Sequence, residues 1–77
     1  MNIDYEKIGQ RIRGWSIRKK MTQEQMATLI EREPAYISRI ENGRQKPSID
    51  TLLRICCALE WDISDLLLDM SNVKKNQ

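Results

Sequence analysis

Histidine is absent from this 77-residue chain, and its only two cysteines, Cys56 and Cys57, are neighbours. An imidazole base, a Ser-His-Asp triad and the usual zinc ligand sets all need residues that are missing. Adjacent cysteines make neither a spaced disulfide framework nor a CxxC pair, so a reducing cytoplasm fits them. No run approaches the roughly eighteen apolar residues of a membrane span. The opening Met1-Asn2-Ile3-Asp4-Tyr5 also lacks the basic-then-apolar order of a signal peptide. The expectation is therefore no catalysis, no metal, no cofactor and no membrane. A chain this short buries only about 60% of its extended surface, which excludes a two-domain enzyme with a large cleft and leaves self-association open as a source of stability.

What is present is charge. Charged residues make up 31% of the chain and hydrophobic ones 40%, the balance of a folded domain rather than a disordered one. The formal charge of +2 hides a gradient. Residues 1–20 hold six basic and two acidic side chains, residues 21–47 four of each, residues 48–70 one and five, and the last seven two basic ones. The molecule is polarised along its chain, and an acidic partner is expected on the basic side.

Apolar spacing points to five short helices and no strand. Ile8, Ile12 and Trp15 form one stripe between Arg11, Arg13 and Arg18, giving helix one over about 5–19. Thr22-Gln23-Glu24-Gln25 has the form of a capping box, with Met26, Leu29 and Ile30 as the stripe of helix two over 23–30. Glu33 stands at an N-cap before Pro34, which suits a first helical turn, and Ile37 and Ile40 face inward until Asn42-Gly43 ends helix three. After the basic loop Arg44-Gln45-Lys46-Pro47, Ser48 caps helix four, whose stripe is Ile49, Leu52, Leu53, Cys56 and Leu59. Asp62 and Asp65 mark the start of helix five, carrying Ile63, Leu66 and Leu67 to about Leu68. The fold class is all-α, a compact five-helix bundle, with a domain over 5–69 and a short polar tail over 70–77.

Helices two and three are separated by about three residues, so they cross steeply rather than lie side by side. This is a helix-turn-helix, in which the second helix suits the roughly 12 Å wide major groove of DNA and the start of the first suits a phosphate. Ile12-Arg13, Thr22-Gln23-Glu24-Gln25-Met26-Ala27, Tyr36-Ile37-Ser38-Arg39-Ile40-Glu41-Asn42-Gly43 and Pro47-Ser48-Ile49-Asp50-Thr51-Leu52 carry the resemblance. Over about 5–68 the chain resembles the phage Cro and repressor type of helix-turn-helix protein, the XRE-like regulators, with a lambda-repressor-like fold.

The resemblance implies double-stranded DNA as partner. It would place Pro34, Ala35, Ser38 and Arg39 nearest the base edges, and Gln23, Tyr36, Arg44 and Lys46 against phosphates. Arg39 is the best reader, because its fork matches guanine O6 and N7; Ala35 offers only an apolar contact. Tyr36 has two readings, a phosphate contact or packing under its helix. Solvated surface is the competing reading for Arg39, helix capping for Gln23 and an ordinary basic loop for Arg44 and Lys46. Of Arg11, Arg13, Arg18, Lys19 and Lys20, most are expected simply to point outward. Family members often have glycine where this chain has Lys20, Glu31 and Glu60, and arginine where it has Ser16. That arginine pairs with the glutamate corresponding to Glu41, which must here find another donor or stay solvated.

Cys56 reads as a buried small hydrophobe and Cys57 as a partly buried neighbour. Trp15 reads as core, whereas Trp61, Leu68 and Met70 form the expected dimer surface, setting two recognition helices about 34 Å apart. The functional expectation is a homodimeric repressor at a palindromic operator. Two alternatives stand beside it: a DNA-binding antitoxin whose main partner is a toxin or other regulatory protein, and a helical interaction adaptor without specific DNA binding.

Overall fold

The computed structural model describes residues 3–67. They form five helices: α1 (Tyr5–Arg18), α2 (Gln23–Leu29), α3 (Pro34–Glu41), α4 (Ile49–Ala58) and α5 (Ile63–Leu67). Four of the five helices start where a side chain serves the unpaired backbone amides of a first turn. Asp4 accepts the Lys7 N–H at 3.2 Å. Thr22 and Gln25 close a reciprocal capping box, at 3.0 Å from the Gln25 N–H to Thr22 Oγ1 and 2.9 Å from the Thr22 N–H to Gln25 Oε1. Ser48 Oγ accepts the Thr51 N–H at 3.1 Å, and Asp62 Oδ1 accepts the Ser64 N–H at 2.9 Å. Glu33 departs from expectation: it stands at the N-cap of α3 but makes no side-chain capping bond. A glutamate is one methylene too long for the geometry that Asp, Asn, Ser and Thr satisfy, and Glu33 remains exposed.

Four helices end in the same way. The second residue past the C-cap donates its N–H five residues back, and the first past the C-cap donates to a nearer carbonyl. These pairs are Met21 to Ser16 with Lys20 to Ile17, Arg32 to Ala27 with Glu31 to Thr28, Arg44 to Arg39 with Gly43 to Ile40, and Trp61 to Cys56 with Glu60 to Cys57. The motif requires one left-handed residue, and the four are Lys20 (φ 57°), Glu31 (φ 61°), Glu60 (φ 56°) and Gly43 (φ 73°). The three sites where the family often has glycine therefore keep their left-handed backbone without it.

The core is one cluster to which every helix contributes: Ile8 and Ile12, Met26 and Ala27, Ile37 and Ile40, Leu52, Ile55 and Cys56, and Leu66. α1 packs on α3 and α5, α2 on α3 and α4, and α4 on α5. Three expected core residues lie outside it: Leu29 is 58% exposed, Ile49 58% and Leu53 46%. At about 100° per residue, Leu53 is turned a quarter of the helix away from the row Leu52, Ile55, Cys56 and Leu59. Leu29 is turned off the Met26, Ala27 and Ile30 face in the same manner. Cys57, one step round from Cys56, is exposed rather than partly buried. Trp15 is only half-buried and lies against Trp61, with ring centroids 5.1 Å apart and planes tilted by 32°.

Candidate DNA-binding surface

α3 has two distinct faces. Tyr36, Ile37 and Ile40 are buried, whereas Pro34, Ala35 and Arg39 are exposed and Ser38 is half-buried. The spacing of Pro34, Ala35, Ser38 and Arg39 puts all four on one side of the helix, so the structure brings the expected base-facing residues together. α3 lies unusually close to α1 because Gly9 has no side chain. A Cβ there would overlap the Ile40 carbonyl oxygen and come within 2.8 Å of the Glu41 carbonyl oxygen.

Arg39 is not a free solvated arginine. Its Nε–H donates to Gln45 Oε1 at 3.2 Å, and its guanidinium carbon lies 5.8 Å from the centre of the Tyr36 ring. The same ring carries the Arg32 guanidinium 3.6 Å from its centre, inside cation–π range. Tyr36 itself is 5% exposed. Its ring is packed under the helix and serves as a platform for arginines.

Gln23 stands at the first position of α2, where its Nε2 donates to Glu41 Oε1 at 2.9 Å. It is the donor that Glu41 finds in place of the arginine that the resemblance would put at Ser16. Ser16 is buried and donates its hydroxyl to the Ile12 carbonyl at 2.8 Å. Beyond α3, Arg44 and Lys46 are exposed, and Lys46 Nζ lies 5.9 Å from the centre of the Tyr5 ring. Glu24, Glu31 and Glu33 are exposed as well.

The helix-one cations divide. Arg11 donates to the Asp65 carbonyl at 3.2 Å, Arg18 sits 5.0 Å from the Trp15 ring centre, and Lys19 pairs with Glu60 at 3.3 Å. Two of the six basic side chains of residues 1–20, Arg11 and Lys19, thus reach the C-terminal segment. Arg32 and Arg39 lie over the Tyr36 ring of α3, and Arg44 and Lys46 are exposed in the loop that follows it. Trp61 is half-buried through its contact with Trp15, while Leu68 and Met70 lie outside the described residues.

Three contributors escaped sequence reasoning. Arg32 carried a signal in its four-residue spacing from Tyr36, and Gln45 in its place between two basic residues. Gly9 carried none, since only the approach of α3 reveals why a side chain is forbidden there.

Comparison with known proteins agrees with this geometry. A family model described as Helix-turn-helix matches residues 13–66. The chain is 36% identical over 64 residues to the ImmF control region 10 kDa protein of Bacillus phage phi105, covering 83% of this chain and 71% of that protein. It is 31% identical over 70 residues to the immunity repressor of the same phage, covering 91% of this chain and 49% of that longer protein. Among solved structures, the clp gene regulator ClgR from Corynebacterium glutamicum superposes with a TM-score of 0.82 at 28% identity, over 87% of this chain and 71% of that one. The biofilm regulator SinR, solved in complex with DNA, does so with a TM-score of 0.73 at 31% identity, over 78% and 97%. The chain belongs to the XRE-like helix-turn-helix family of DNA-binding transcription regulators.

Proposed function

We propose that this regulator is a cytoplasmic repressor that binds a palindromic operator as a homodimer, with α3 in the major groove. The observation that carries the reading is the bare outer face of α3: Pro34, Ala35 and Arg39 are exposed beside Ser38, while the opposite face is sealed in the core. Pro34, Ala35, Ser38 and Arg39 then meet base edges, and Arg44 and Lys46 neutralise phosphates without reading sequence. Gln23 reaches a phosphate with the second hydrogen of its amide, the first being held by Glu41. Arg32, stacked on Tyr36, adds a further cation beside the groove. Trp61, with Leu68 and Met70, is the proposed contact between subunits. Support comes from the family match, from an immunity repressor among the relatives and from a structural neighbour solved with DNA.

Selection of bound duplexes from a random library, followed by footprinting, tests the proposal. The expected result is one enriched inverted repeat. Arg39→Ala then lowers discrimination at one base pair, whereas Lys46→Ala weakens binding to all sequences alike and reduces the salt slope by about one phosphate contact. Failure to enrich any site, or affinity unchanged by scrambling the repeat, overturns it.

A further inference from the structure

We propose that Gln45, a loop residue beyond the recognition helix, is a positioning residue that sets the specificity of Arg39. The inference rests on the DNA-reading role proposed for α3. An arginine guanidinium presents five N–H donors, and recognition of guanine uses a pair of them against O6 and N7. In this structure the Nε–H is already committed to Gln45 Oε1 at 3.2 Å. The two Nη groups at the far end of the fork are left to approach a base together. On one flank the Tyr36 ring, buried and 5.8 Å from the guanidinium carbon, limits where the plane can swing.

An unrestrained arginine loses much of its rotamer freedom when it docks. Holding it before DNA arrives lowers that loss for the base that fits and offers a misaligned fork to the bases that do not. Gln45 suits the task because it is half-buried in the turn between Gly43 and Pro47, and its amide oxygen accepts without bringing a charge toward phosphate. A glutamate at the same position would compete with guanine for the Nη groups.

The test compares wild type, Gln45→Met, Arg39→Ala and the double variant, all as full chains, on the site enriched from the random library and on versions with each guanine in turn replaced. Methionine keeps the length of glutamine and removes its amide acceptor. The expected result is a loss of about 2- to 12-fold in discrimination at the one base pair that Arg39 reads, the range of a single net hydrogen bond. Thermal midpoint and salt slope stay unchanged, and Gln45→Met has no further effect once Arg39 is alanine. Two outcomes overturn the inference: undiminished discrimination in Gln45→Met, or an equal loss in the Arg39→Ala background, which would make Gln45 itself a DNA contact. If wild type enriches no site at all, the DNA-reading proposal fails first, and the two failures are thereby told apart.

Discussion

Glu31→Gly should make this protein more stable, although it deletes a side chain and adds backbone freedom. Glu31 ends α2 with φ at 61°, and the turn it forms lets the Arg32 N–H reach the Ala27 carbonyl at 2.8 Å. A residue with a Cβ held in this left-handed region gives up about 1–2 kcal/mol, which glycine escapes. Against that, glycine gains unfolded-state entropy, a loss of about 0.4–1 kcal/mol of stability. The difference is a net stabilisation of about 0.5–1 kcal/mol, and a domain of this size moves by roughly 4–8 °C per kcal/mol. Thermal unfolding followed by far-ultraviolet circular dichroism should therefore show a midpoint a few degrees higher. Glu31→Ala is the control, since it removes the same charge and keeps the Cβ; its midpoint should barely move. Lys20→Gly should behave like Glu31→Gly. Glu60→Gly should gain less, because it also breaks a pair with Lys19 in which the side chains are 82% and 39% exposed, worth about 0–1 kcal/mol. Gly43→Ala should run the other way by at least 1–2 kcal/mol or so, because its new Cβ would also lie 2.6 Å from Glu6 Cγ. Equal midpoints for Glu31→Gly and Glu31→Ala would refute the reasoning, since the released Cβ penalty would then be no larger than the unfolded-state entropy that glycine adds.

Three further expectations can be checked on the same protein. Gly9→Ala should destabilise by about 1–3 kcal/mol through overlap with the α3 backbone, while Gly14→Ala, whose Cβ meets nothing within 4 Å, should stabilise by about 0.5–1 kcal/mol through helix propensity. Denaturant titrations would show the opposite signs. A thiol-specific disulfide reagent at pH 8 should label Cys57 promptly and Cys56 only on unfolding, since burial, helped by the nearby Asp62 charge, pushes the Cys56 thiol up to about 11; equal rates would contradict the packing of α4. The Asp62 carboxyl is held below its ordinary 3.8 by the Ser64 N–H, then by the Ser64 hydroxyl. Its contribution to stability is thus present above that ordinary value and fades as pH falls through the lower folded one. Asp62→Ala should flatten the stability curve below about pH 4, and an unaltered acid limb would sink the capping role.

Helix starts were legible because their causes are local. Thr22 and Gln25, or Ser48 and the amide of Thr51, lie three residues apart and meet as soon as one turn forms. The class was legible for a similar reason: buried stripes and short turns leave periodic marks that survive without knowledge of the partner surface, whereas the family was read from the resemblance of its motifs. The same periodicity overreached at Leu29, Ile49 and Leu53, which are apolar at roughly helical spacing yet exposed. A stripe read from one helix does not say how wide an arc its neighbours cover, and here α2 and α4 are covered only along a narrow row.

The sequence by itself determined that this is a helical domain, where its helices begin, and that α3 with its basic loop is the part to test against DNA. Only the tertiary structure decided which chemical groups on that surface are already committed. Gln23 holds Glu41 across 18 residues of sequence, Arg39 holds Gln45, and the ring of Tyr36 carries Arg32 instead of standing free. Arg11 and Lys19, expected only to point outward, reach Asp65 and Glu60, 54 and 41 residues away. The reason is physical: a cap or a turn is closed by neighbours along the chain, whereas the partner of a long polar side chain is whatever the packing of another helix brings within 3–4 Å or so.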